Sequence, residues 1–269
     1  MKKFIKTILF FTMILLVACT STPDTSDESH ETTQQEDEIK EENHEMEVNK
    51  EESNFKTESE SQYEINDNWS ITPIEEDMNE KVVLLTIDDA PDKYGLEMAK
   101  TLKELDAHAV FFVNGHFLST PEKQEELKKI HDMGFVIGNH TFNHAYLPEL
   151  SKEEQKEEIV ELNDLIEEII GERPTFFRAP NGANTDYTKQ LAEDENMLLM
   201  NWSYGYDWEP EYQSKEAITE IMLETDLLSN GSNLLMHDRE WTASALADIV
   251  SGLREKGYEI IDPHQIKTK

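Results

Sequence analysis

The chain is 269 residues long, 37% hydrophobic and 30% charged, with 58 acidic side chains against 24 basic ones and a formal net charge of −34. A molecule this acidic repels polyanions, which removes nucleic acid from its partners. The composition is also too polar for a polytopic membrane protein, and it fits one globular domain joined to a polar tail.

Lys2, Lys3 and Lys6 precede an apolar run from Ile8 to Ala18, interrupted by Thr12, that is short for a bilayer span. This is the pattern of an export signal. It ends in Leu16-Val17-Ala18-Cys19, which resembles a bacterial lipoprotein signal: residues 1–18 are removed and Cys19 receives the lipid. The alternative is an uncleaved N-terminal anchor, and either one tethers the domain outside the cytoplasm. Cys19 is the single cysteine, so no intramolecular disulfide holds the fold together. Several acyl chains on one residue give durable attachment to the membrane.

Residues 19–80 have almost no apolar periodicity, and residues 21 to 80 hold 21 acidic side chains against 3 lysines. Such a segment cannot bury enough surface to offset its ordering entropy, so a disordered acidic linker is expected, with a reach of about 40 Å or more. Tyr63 and Trp69 point to packing of its last part, residues 63 to 75, on the domain that follows.

From residue 81 to 269 the pattern changes. Short apolar runs recur at Val82–Ile87, Ala109–Val113, Phe135–Gly138, Thr175–Phe177, Leu198–Asn201, Asn233–Met236 and Tyr258–Ile261, and each reads as a buried strand. Amphipathic stretches lie between them, near 95–105, 120–132, 152–170, 186–195, 215–229 and 242–256. Thr120 with Pro121, and Ser151 with Glu154, supply helix starts, and Gly171 supplies a stop. Alternation of strand and helix implies parallel strands with right-handed crossovers, in either an incomplete α/β barrel or a doubly wound sheet. Both architectures place ligands at the C-terminal ends of the strands.

The chemistry-bearing residues fall where that rule puts them. Asp88 and Asp89 follow the first strand, where adjacent carboxylates diverge and can serve a metal and a reacting water separately; taken alone, the pair equally suits helix entry. His140 and His144, four residues apart, would share one face on a helical turn. With Asp89 they form a three-ligand open set of the kind catalytic Zn²⁺ uses. Arg178 can fix a carboxylate in its ionised state, although a surface ion pair is the simpler reading of an isolated arginine. His237 ends an apolar run and reads either as a satisfied core histidine or as a general acid.

In this order the motifs resemble the polysaccharide deacetylase family, the NodB-like domain of carbohydrate esterase family four, over residues 81 to about 265. They are Thr86-Ile87-Asp88-Asp89-Ala90-Pro91, His140-Thr141-Phe142-Asn143-His144, Arg178-Ala179-Pro180-Asn181-Gly182, Tyr204-Gly205-Tyr206-Asp207-Trp208 and Leu235-Met236-His237. The resemblance implies an α/β fold, a distorted, incomplete (β/α) barrel of about seven parallel strands. It implies deacetylation of a polysaccharide; a lipid-tethered enzyme outside a bacterial membrane meets peptidoglycan first, with chitin oligomers, xylan or exopolysaccharide as alternatives. Asp88 becomes the base, oriented by Arg178, and His237 the acid, tuned by Asp207. Asp89, His140 and His144 hold one divalent metal, Zn²⁺ ahead of Co²⁺ or Ni²⁺. The Asn181 N–H faces the oxyanion, while Trp208 and Leu235 line the acetyl pocket. A monomer is expected. Ala90, Asn181 and Tyr204 depart from the family pattern. Ala90 and Tyr204 motivate a rival reading, an inactive carbohydrate-binding lipoprotein on a deacetylase fold. A transporter's substrate-binding lipoprotein would need two similar lobes, and the pattern supplies one.

Overall fold

The computed structural model describes residues 61–268, so the export signal, Cys19 and most of the acidic linker lie outside the described residues. The first elements are β1 (Tyr63–Ile65) and β2 (Ile71–Pro73), an antiparallel hairpin whose turn is tied by the Asn66 side chain accepting from the N–H groups of Asn68 and Ser70. The folded unit therefore starts ahead of residue 81, and the expected linker boundary at residue 80 is too late. The hairpin contributes Tyr63 and Ile71, both almost fully buried, and two apolar side chains leave no periodic signature.

Seven parallel strands follow: β3 (Val82–Ala90), β4 (Val110–Val113), β5 (Val136–Asn139), β6 (Phe176–Phe177), β7 (Leu198–Leu199), β8 (Ser232–His237) and β9 (Glu259–Ile260). The sheet runs β7-β6-β5-β4-β3-β8, with β9 pairing the start of β3. Beyond β7 the chain reaches across to β8, where Tyr204 bridges Leu234, so the curled sheet is an incomplete barrel. The fold class is as the motifs implied, and β6 and β7 are shorter than their apolar runs. The crossovers are α1 (Gly95–Glu104), α2 (Pro121–Asp132), α3 (Lys152–Ile170), α4 (Asp186–Asp194), α5 (Lys215–Glu224) and α6 (Glu240–Glu255). Thr120 caps α2, and Ser151 and Glu154 close a reciprocal capping box on α3, which ends at the left-handed Gly171.

Alternation along the strands separates two cores. Val83, Leu85 and Ile87 of β3 face the helices, with Phe111, Val113 and Ile137. Val82 and Leu84 face the barrel interior with Val110, Phe112, Val136 and Phe176, and Tyr63, Ile71, Ile261 and Ile266 join that cluster. The hairpin and the C-terminal segment thus fill the interior at the end where the strands begin. The same parity carries Thr86 and Asp88 inward at the opposite end of β3. Gly138 leaves room for Phe112, whose ring would lie 2.5 Å from any added Cβ, and the Arg178 guanidinium stacks on that ring at 4.3 Å.

Candidate active site

Asp88, near the end of β3, is 2% exposed and accepts a 2.7 Å bond at Oδ1 from Arg178 Nη1. Arg178 follows β6 and is wholly buried. It also donates from Nη1 to Thr86 Oγ1 and from Nη2 to the Asn201 carbonyl, each at 2.8 Å. Full burial excludes the surface ion pair that an isolated arginine suggests. Burial lowers the guanidinium pKa, and the charge and hydrogen bond of Asp88 offset only part of that; the group's intrinsic basicity leaves it charged.

Asp89 sits at φ 62°, in the left-handed region, which turns its carboxylate away from Asp88. Its Oδ1 is 3.6 Å from His144 Nε2 and 3.9 Å from His140 Nε2. Burial would raise its pKa, but the fields of His140, His237, His144 and Arg239 outweigh that and hold it below the usual carboxylate value. His140 Nδ1 lies 2.8 Å from the Arg178 carbonyl. A carbonyl only accepts, so Nδ1 carries the proton and Nε2 presents its lone pair. Burial also lowers the His140 pKa, which favours the neutral imidazole a metal requires.

One ligand atom each from Asp89, His140 and His144 lies within 4.8 Å of the others. Two imidazole nitrogens and one carboxylate oxygen fit a divalent cation such as Zn²⁺. The histidines do not share a helical turn, as their spacing suggested. Residues 140–144 form a loop with Thr141 at φ 68° and His144 at φ 55°. Asn139 Oδ1 accepts from the Thr141 N–H, and Glu158 of α3 accepts twice from Asn143, from its backbone N–H and its side-chain amide.

His237, at the end of β8 and in register with Asp88 on β3, lies 2.7 Å by Nδ1 from Asp207 Oδ1. Asp207 is fully buried and accepts as well from the His237 N–H and the Thr242 hydroxyl. Burial alone would lower the His237 pKa; the Asp207 hydrogen bond and charge, with the fields of Asp88 and Asp89, raise it instead. Trp208 is 44% exposed and stands edge-on to His237 at 5.6 Å. Leu235 is buried beside Gly205. Asn181 is exposed on its loop at φ 57°. The strand ends thus bring together Asp88, Asp89, His140, His144, Arg178, Asp207 and His237, with Trp208 against His237.

Two departures from the family pattern are structural. Ala90 is fully buried, its methyl near Gly95 at the start of α1, so it lies in the helix-facing core instead of beside the approaching substrate. Tyr204 is buried with its hydroxyl on the Met222 carbonyl at 2.8 Å, which removes it from sugar recognition. Sequence reading passed over Asn114, at the end of β4, whose amide donates to the carbonyls of both His140 and Thr141. The same strand-end rule applied to β4 finds it. Asp238, next to His237, accepts from the N–H groups of Lys93, Tyr94 and Gly95 and so ties β8 to the start of α1. Arg239, one residue on, reaches Asp89 at 2.8 Å.

The sequence profile of the polysaccharide deacetylase family matches residues 75–199. A peptidoglycan-N-acetylglucosamine deacetylase of Bacillus cereus is 30% identical over 194 residues, which cover 69% of this chain and 70% of that protein. The chain belongs to the polysaccharide deacetylase family. The peptidoglycan-N-acetylmuramic acid deacetylase PdaC of Bacillus subtilis is 31% identical over 194 residues, and the match spans only 40% of that longer protein. Its solved structure superimposes with a TM-score of 0.61, covering 70% of this chain and 90% of that one. A family-four carbohydrate esterase pseudoenzyme from Bacillus anthracis is similar as well, at 28% identity and a TM-score of 0.61, covering 67% of this chain and 63% of that one.

Proposed function

We propose that the protein hydrolyses N-acetyl groups on peptidoglycan amino sugars, in a metal-dependent reaction, as a lipid-anchored, monomeric enzyme outside the cytoplasm. One observation carries the reading: two charge pairs, Asp88–Arg178 and His237–Asp207, meet beside the trio of Asp89, His140 and His144. A divalent ion held by that trio supplies Lewis acidity toward the acetyl carbonyl and lowers the pKa of water. Asp88, held in place by Arg178, takes a proton from the attacking water as its oxygen adds to the carbonyl carbon. The Asn181 N–H faces the resulting oxyanion. His237, kept protonated by Asp207, gives its proton to the amide nitrogen as the C–N bond breaks, leaving acetate and a free amine. Trp208 and Leu235 wall the acetyl group. The named activities of the Bacillus relatives support peptidoglycan as the polymer. The export signal ending at Cys19 supports attachment at the membrane that underlies it.

Acetate release tests this directly. Peptidoglycan should yield acetate, a chelator should stop it and added Zn²⁺ should restore it. Asp88→Asn should lower the rate by about 10² or more while metal stays bound. Chitin oligomers, acetylxylan and exopolysaccharide are the comparison substrates. The B. anthracis neighbour motivates the second reading, a carbohydrate-binding module without turnover. Sugar binding with metal bound and no acetate from any substrate would establish that reading instead.

A further inference from the structure

The two adjacent aspartates of β3 are each claimed by an arginine, and only one of those arginines has a place in the reaction above. Arg178 takes Asp88. Arg239 takes Asp89, with Nη2 2.8 Å from Oδ2. The oxygens of Asp89 are thereby divided: Oδ1 faces the Nε2 atoms of His140 and His144, and Oδ2 faces the guanidinium.

Arg239 is held for this purpose at several points. It is the residue that precedes α6, and its Nη1 donates to the Asp238 carbonyl at 3.2 Å and lies 3.8 Å from Asp92 Oδ2. Asp238, in turn, is fixed by the N–H groups that open α1, the helix reached from Asp89 through the Pro91 turn. The β8–α6 junction and the β3–α1 junction are therefore locked together, with the Arg239–Asp89 bond running between them. At 37% side-chain exposure Arg239 is far from a core residue, so fold stability alone gives it little reason to reach inward.

We propose that Arg239 is a positioning residue for the metal site, holding Asp89 Oδ2 so that the carboxylate offers Oδ1 alone to a divalent cation. This rests on the reading that Asp89, His140 and His144 bind such an ion. A guanidinium on Oδ2 opposes chelation through both oxygens, because a cation drawn onto Oδ2 would sit against the arginine's own positive charge. The arginine also withdraws charge from the ligand, which leaves the cation more electrophilic. Groups that orient metal ligands in this way are worth about 10- to 100-fold in affinity or activity.

The test uses Co²⁺ as the probe, because its visible absorption weakens as its coordination number rises. Wild type, Arg239→Met and Arg239→Lys are titrated with Co²⁺, and Asp89→Ala marks absorption from elsewhere. Arg239→Met should give a weaker visible band, a metal Kd changed by about tenfold, and kcat down by about tenfold at unchanged KM. Arg239→Lys, which keeps the charge, should retain most of the wild-type band. Arg239→Gln makes the same comparison if the methionine variant does not fold. A Met or Gln variant with the wild-type spectrum and Kd would overturn the proposal and leave the deacetylase reading standing. A wild-type protein that binds no Co²⁺ through Asp89 would overturn both.

Discussion

At the scale of single residues, the Asp207–His237 pair sets a pH dependence whose sign follows from its geometry. The folded-state pKa of His237 is raised, so the pairing stabilises the fold at low pH and loses that contribution as pH rises through the folded-state value. Activity follows the same direction, since the proposed acid must carry its proton. We expect kcat/KM to fall on an alkaline limb displaced upward from the ordinary histidine value, and Asp207→Asn to move that limb to lower pH. A limb that stays in place in Asp207→Asn would remove His237 as the acid. Arg178 makes the complementary case in stability. It is buried with Asp88, and Arg178→Met removes the guanidinium that faces that carboxylate. Urea unfolding should show a loss of about 3–5 kcal/mol.

Elements explain how far the sequence could be read. Apolar runs and caps are local signals, and they placed the strands and the ends of α2 and α3. Long-range partners leave no such signal. The loop at 140–144 looks helical by spacing, and its left-handed turns are held by Asn139 and by Glu158, 15 residues from Asn143. Arg239 and Asp89 are 150 positions apart, so neither advertises the other. The candidate acid, base and ligands were legible as ordered motifs together with Arg178 and Asp207, while Asn114, Glu158 and Arg239, which hold the loop and Asp89, were not. Gly205 illustrates the same dependence. A Cβ there would lie 2.4 Å from the Leu235 carbonyl and 2.9 Å from Trp208. Gly205→Ala must therefore push β8 or Trp208 aside. The expected cost is about 1–3 kcal/mol in thermal or urea unfolding. Activity should fall further than stability accounts for at temperatures where the variant is folded, because His237 rides on the displaced strand.

Across the whole molecule, the acidic charge and the fold boundary bear on each other. Of the net −34, the signal lysines contribute +3, and residues 21–60 and 61–269 carry −12 and −25. Starting the folded unit at residue 61 moves the six acidic side chains of residues 61–80 out of the linker and onto the domain. A segment so acidic stays folded because of what it covers. Tyr63 and Ile71 join Val82, Leu84 and Phe112 in the barrel interior. Their backbones are tied to Lys267 and Gly231. Burial of a large apolar side chain is worth about 1.5–3 kcal/mol, and removing the hairpin also uncovers the residues beneath it. A chain beginning at residue 81 should therefore show a urea midpoint well below that of a chain beginning at residue 61. Asp89, His140 and His144, the proposed metal ligands, lie at the opposite end of the strands, so metal affinity measured under folding conditions should be the same in both. Equal midpoints would make the hairpin an ornament on the barrel. Unequal metal affinities would mean that filling one end of the barrel controls geometry at the other.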